Sequence, residues 1–135
     1  MDRIQEIPIL YAQMQDSKKY YFSDLKPSDL NENLCVVYAI TNFRTQEILY
    51  VGKTTKLRRR LYTNHLMGNL ATARLKKYLI DDPQITDVSD LESAKQYIKS
   101  NCYFQYIEES DMRKRGQLEG LYSFLLNVRY VDKEH

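Results

Sequence analysis

ILYVGKTTKLRRRLYTNHL, residues 48–66, is the stretch that decides the fold. Ile48-Leu49-Tyr50-Val51 reads as a strand, and Gly52 ends it. Lys53, Lys56, Arg58, Arg59 and Arg60 then place five cations directly behind the strand end. From Lys56 to Leu66 the spacing predicts a helix. With Leu57 at the origin of a helical wheel, Leu61 lies about 40° away, at roughly 100° per residue, so the two define a buried stripe. Arg59 points almost opposite, into water. Arg58 and Arg60 flank the stripe, with Asn64 near Arg60 and His65 nearer Arg58. A solvated helix face is the plain reading of such a run. The chemical reading is a grip for phosphate oxygens, whether of nucleic acid or of a nucleotide.

Upstream, Leu34-Cys35-Val36-Val37-Tyr38-Ala39-Ile40 is a nearly continuous apolar run with β-branched content, which predicts a buried strand. Thr41 to Glu47 is a polar turn, so the two strands form a hairpin. By the two-residue period Val36, Tyr38 and Ile40 share one face, as do Ile48, Tyr50 and Gly52. Tyr38 and Tyr50 are therefore expected on one side of the sheet, either as core tyrosines or at a site.

Downstream, Met67-Gly68 closes the first helix, with Gly68 as its cap. Leu70 to Ile80 predicts a second helix carrying Arg74, Lys76 and Lys77, stopped by Asp81-Asp82-Pro83. Ser89-Asp90-Leu91-Glu92 reads as a capping-box-like start to a helix through Ala94 and Ile98. Cys102 to Ile107 is a third strand. Ser110 to Asn127 is the last long helix, with Ser110 as N-cap. Its Leu118, Leu121, Tyr122, Leu125 and Leu126 recur as a buried stripe. Glu119 sits at the edge of that stripe, where a carboxylate needs a partner: an arginine or a hard divalent cation.

Residues 1–33 carry weaker signals. Ile4 to Gln15 can form a short helix despite Pro8, and 24–33 is a polar connector. This region is expected to be an N-terminal extension packed on a domain spanning 34–131. The 135 residues fit one domain. A net charge of +2 selects no partner by itself. Cys35 and Cys102 are far apart and lack metal-ligand spacing, which argues for reduced, buried strand residues rather than zinc ligands. The twelve tyrosines could offer stacking surfaces, but core-edge packing explains most such residues. No apolar run approaches the ~18 residues that a membrane span requires. The early acidic residues do not read as a secretory leader, so a cytoplasmic location is expected.

Tyr38 in the first strand, Tyr50-Val51-Gly52-Lys53, the helix with Leu57-Arg58-Arg59-Arg60-Leu61, and Gln117-Leu118-Glu119-Gly120-Leu121 together resemble the GIY-YIG nuclease superfamily. The resemblance covers roughly Leu34 to Val131. It implies an α/β fold, a small three-stranded, mainly antiparallel sheet flanked by helices. It implies metal-dependent hydrolysis of phosphodiester bonds in nucleic acid, with DNA favoured over RNA. Arg60 then takes the place of the catalytic arginine. Glu119 takes that of the ligand for Mg2+ or Mn2+. Tyr38 would orient the attacking water, or deprotonate it if Lys53, Arg60 or the metal favours the phenolate, and Tyr50 would brace the phosphate or its partner tyrosine. Arg58, Arg59, Arg74, Lys76 and Lys77 would supply nucleic-acid contacts, with Arg113 to Arg115 as further cations.

The sequence departs from the family pattern at three places. The first half-motif reads Val36-Val37-Tyr38, without its usual glycine. The position four after the arginine, often His or Tyr, is Asn64, and His65 follows it. Either the helix frays before Met67 and lets His65 swing in, or His65 lies on the surface. The position about twelve after the glutamate, often Asn, is Val131. A nucleic-acid-binding module without turnover, or a subunit of a larger complex, is the alternative reading.

Overall fold

The apolar run around Tyr38 forms β2, Val36–Asn42, and every one of its residues is buried. β3, Glu47–Thr54, returns antiparallel to it. Tyr38 stands opposite Gly52 and Ile40 opposite Tyr50. The register slips between Ile40 and Thr41, so Leu49 is the extra residue of a bulge. β4, Cys102–Glu108, pairs antiparallel with the other side of β2. The computed structural model describes residues 1–132.

The sheet has four strands where the sequence predicts three. The fourth is β1, Tyr20–Tyr21, which joins the outer side of β4 and makes the order β1-β4-β2-β3. A two-residue strand has no period to read. It is held by stacking instead: Tyr20 lies 5.1 Å from Phe104 and 5.7 Å from Tyr106, ring centre to ring centre.

Both faces of the sheet are covered. On one face Val36, Tyr38, Ile40 and Tyr50 form a core with Leu57, Leu61 and Leu66, with α2 (Arg74–Asp81) and with α3 (Leu91–Asn101). On the other face Val37, Ala39, Val51 and Ile107 pack against Met14 of α1 (Arg3–Asp16), against Leu118 and Tyr122 of α4 (Met112–Leu125) and against Leu126, its C-cap. Asp90 caps α3, bonding reciprocally with Ser93. Asp111, not Ser110, caps α4, its carboxylate accepting from the Lys114 N–H. The buried Gln105 amide donates to the carbonyls of Met14, Gln15 and Ser17, which ties the end of α1 to β4. The Met14 carbonyl also accepts from the Ser17 N–H and hydroxyl, so the Gln105 amide shares with Ser17 the capping of the helix end.

Two local features set the site. First, residues 59–66 are a π-helix, entered from a short α-helical turn at Leu57-Arg58. Its wider winding shows in the Met67 N–H donating to the Tyr62 carbonyl, five residues back. Gly68 follows, but with no left-handed backbone, so its smallness matters rather than its flexibility. A Cβ there would lie 2.3 Å from the Asn64 carbonyl oxygen. Second, Asn127 takes the left-handed conformation at φ 51° and turns the chain back after α4. The N–H groups of Arg129 and Tyr130 then donate to the carbonyls of Ile48 and Leu49. This strap covers the first half of the β3 edge and leaves Gly52 to Thr54 uncovered by it.

Candidate active site

The tyrosine parity holds. Tyr38 and Tyr50 lie on the same face with ring centres 6.3 Å apart. They are diagonal rather than directly opposed, because Tyr38 faces Gly52 across the ladder. The Tyr38 ring crosses over that glycine: a Cβ at position 52 would fall 2.4 Å from the hydroxyl oxygen. Gly52 is thus a passage through which a buried tyrosine reaches the sheet edge.

His65 completes the cluster. It is 1% exposed, and its Nε2 lies 2.7 Å from the Tyr38 hydroxyl. Its ring centre is 5.5 Å from that of Tyr38 and 5.2 Å from that of Tyr50. Neither fraying nor surface exposure describes it. The π-helix turns His65 inward. In that winding, residues five apart follow one another along the axis much as residues four apart do in an α-helix. The wide turn therefore absorbs the one-residue offset between Asn64 and His65.

Charge around the cluster is uneven. Burial lowers the His65 pKa to about 3, with Arg60, Lys76 and Arg74 adding to the effect. The imidazole is neutral, and its Nδ1 has no hydrogen-bond partner among the described residues. Burial also raises the Tyr38 hydroxyl well above the ordinary tyrosine value. Tyr50 adds to this, Arg60 opposes it, and Glu119 adds again. Desolvation outweighs the neighbouring cations Arg60 and Arg74 in the free protein. Burial raises Tyr50 as well, and Asp132 contributes.

Glu119 reaches the cleft from α4, on the opposite face of the sheet. Its nearest oxygen is 3.9 Å from Lys53 Nζ, with the two side chains 34% and 49% exposed. Burial raises its carboxyl above the usual range, and Lys53 opposes without prevailing. A long contact to a half-exposed ammonium is too weak to offset the lost hydration. Among the described residues, no three His, Cys, Asp or Glu side chains gather as a metal-binding group. What the cleft offers is one partly desolvated carboxylate. That suits a hard cation which keeps most of its water and binds through one or two carboxylates.

The remaining cations divide. Arg74 lies beside Tyr50 and is paired with Asp132, whose other oxygen accepts from the Tyr78 hydroxyl. Arg59 is exposed, as is Lys77. Arg58 instead donates from Nε to the Leu30 carbonyl at 3.1 Å and lies 4.0 Å from Glu32. Lys76 is not on a basic surface. It is 2% exposed, and its ammonium donates to the Gly68 carbonyl. Of the late cations, Arg113 is exposed, but Arg115 is buried and donates to the carbonyls of Glu109 and Ser110. Cys102 is a buried strand residue, whereas Cys35 is only half-buried and precedes β2.

Asp132, Tyr78 and Tyr130 carry no mark in the sequence, yet they border this cleft. Tyr78 stacks on Tyr130 with ring centres 5.1 Å apart and planes 4° from parallel. Arg129 anchors the strap by donating to Asp82, Glu47 and Gln84. The family model for the GIY-YIG catalytic domain matches residues 34–119. No curated protein and no solved structure matches the chain.

Proposed function

Because the chain belongs to the GIY-YIG catalytic domain family, we propose that it is an endonuclease that hydrolyses phosphodiester bonds in nucleic acid, DNA foremost, with Mg2+ or Mn2+ held at Glu119. Family membership supports a nuclease-type function and a nucleic-acid substrate. The observation that carries the finer reading is the hydroxyl of Tyr38. It lies against Gly52 beside Tyr50, within the field of both Arg60 and Glu119.

Each residue has work that its chemistry allows. The neutral Tyr38 hydroxyl shares a 2.7 Å hydrogen bond with His65 Nε2, its direction set by the imidazole tautomer, and its remaining hydrogen-bonding capacity can meet an attacking water. His65 holds that hydroxyl in one orientation. Arg60 meets the nonbridging oxygens and stabilises charge that develops on them. Tyr50, linked to Arg74, braces the phosphate against the sheet edge. Lys53 partly balances the Glu119 charge before a cation arrives. When bound, the metal supplies Lewis-acid stabilisation of the leaving oxygen.

One observation favours the second reading, a binding module without turnover. Tyr38 is 1% exposed and its proton is held firmly, so a base role needs help that the free chain lacks. Glu119→Gln separates the two. Cleavage of a mixed nucleic-acid panel in Mg2+ or Mn2+ should fall by at least ~100-fold, the scale of losing a main electrostatic stabiliser. Binding should persist, and metal-free stability should hold or rise, because a desolvated charge is gone. Wild-type protein that binds but never cleaves would establish the module reading. Undiminished cleavage by the variant would remove Glu119 from the chemistry.

A further inference from the structure

Beside the cleft, between α2 and the strap, lies a pocket of about 560 Å³. That is within the ~300–1,000 Å³ range of small-ligand sites. It opens next to Tyr50, since Tyr78 on its wall is 6.3 Å from the Tyr50 ring. Leu70, Ala71 and Pro83 line it together with the Tyr78–Tyr130 stack. Arg74 and Lys77 supply its cations.

We infer that this pocket takes one unpaired nucleobase of the substrate strand, next to the phosphate that is cut. The inference rests on the nucleic-acid reading above and narrows its substrate class. Three observations carry it.

Five of the ten lining residues, Leu70, Ala71, Tyr78, Pro83 and Tyr130, are apolar or aromatic, and three of the other five are carboxylates, which together suit a planar base better than a phosphate. The carboxylates present point the same way. Asp82 is engaged by Arg129 and Tyr130, and Asp132 by Arg74 and Tyr78. Together with Asp81 they make the wall unfavourable for an anion, while Asp81, whose side chain makes no hydrogen bond among the described residues, leaves an acceptor for the exocyclic amine of a base. Lys77 and Arg74 on the same helix can meet the backbone phosphates that enter with it. Position is the third point. Tyr78 and Arg74 line the pocket, and the Tyr78 ring lies 6.3 Å from that of Tyr50, so a base seated there places its own phosphate toward Tyr50 and the neighbouring Tyr38. In a continuous duplex every base is stacked within the helix. Only a base that has left the stack can enter a side pocket. The preferred substrate is therefore a bulge, a junction, a strand end or a single strand.

The test uses the full chain in EDTA, so that nothing is cut. Two DNA duplexes carry the fluorescent adenine analogue 2-aminopurine, either as a one-nucleotide bulge or fully paired. Binding of each is followed by anisotropy and by the analogue's emission. The bulged duplex should bind roughly 10- to 100-fold tighter, the usual worth of one base on an aromatic site. Ala71→Phe fills the pocket from an exposed turn position and should bring the ratio to about one without weakening the paired duplex. Leu70→Glu, at a position 51% exposed, is a second variant should the first fail to fold. A wild-type ratio near one, or a ratio that both variants keep, overturns the pocket and leaves the nuclease reading standing. Free deoxyadenosine monophosphate that competes as well as the bulged strand overturns it too, in favour of a free-nucleotide site. Failure to bind either duplex, with no cleavage of any substrate in metal, removes both readings together.

Discussion

At the scale of the residue, His65 has a consequence for acid stability. Its pKa is lowered to about 3 in the fold, while an exposed histidine titrates near ~6.5. Between those values the unfolded chain binds a proton that the folded chain does not. Stability is therefore fully present above the unfolded value and is lost as pH falls toward the folded one. The slope approaches one proton, about 1.4 kcal/mol per pH unit. His65→Asn cannot titrate there. The wild-type-minus-variant difference in unfolding free energy should shrink steadily from pH 6.5 to pH 4. A pH-independent difference would mean that the ring is solvated or charged in the native state. The same burial explains why the sequence could not settle His65: wheel geometry assumes 3.6 residues per turn, and this segment does not wind that way.

At the scale of the element, the π-helix carries a prediction. If its wide turn exists to accommodate one extra residue, deleting Asn64 should restore an α-helix and bring the histidine to the fourth position after Arg60. The protein should then melt within about 4 °C of wild type, the equivalent of ~1 kcal/mol for a domain of this size. Cleavage should stay within ~10-fold. Inserting Ala after Asn64 should turn the imidazole away from Tyr38 and abolish cleavage. A deletion variant that fails to fold would show that packing around Gly68, not register, demands the wide turn.

Much of this layer was legible. The buried strand, the hairpin, the third strand and the last helix all appear within a few residues of their predicted bounds, because each carries an apolar period over several residues. The common face of Tyr38 and Tyr50 followed from parity alone. What escaped was short or distant. β1 is two residues long. Lys76 looked like a surface cation because its acceptor, the Gly68 carbonyl, is a backbone atom that no side-chain pattern marks. Asp132 meets Arg74 and Tyr78 across 58 and 54 residues of sequence, with nothing local to mark it.

At the scale of the whole molecule, a net charge of +2 hides a division of labour among the arginines. Arg59 is free of ion pairs among the described residues, and Arg58 is tied to the segment before β2. Nucleic-acid affinity should fall with salt by roughly one power per phosphate contact. Arg59→Ala should reduce that slope by about one. Arg58→Ala should leave the slope nearly unchanged and lower stability by about 1 kcal/mol, through the lost bond to the Leu30 carbonyl. Equal slope changes in the two variants would show that Arg58 swings free to meet phosphate.

The strap also sets the order in which the protein becomes competent during translation. Tyr38, Arg60, His65 and Glu119 have all left the ribosome before the strap has. Until Tyr130 and Asp132 emerge, however, the pocket lacks a wall and the upper edge of β3 lacks its cover. A chain without the strap would thus keep Tyr38, Arg60, His65 and Glu119 while lacking the Tyr130 and Asp132 wall of the pocket.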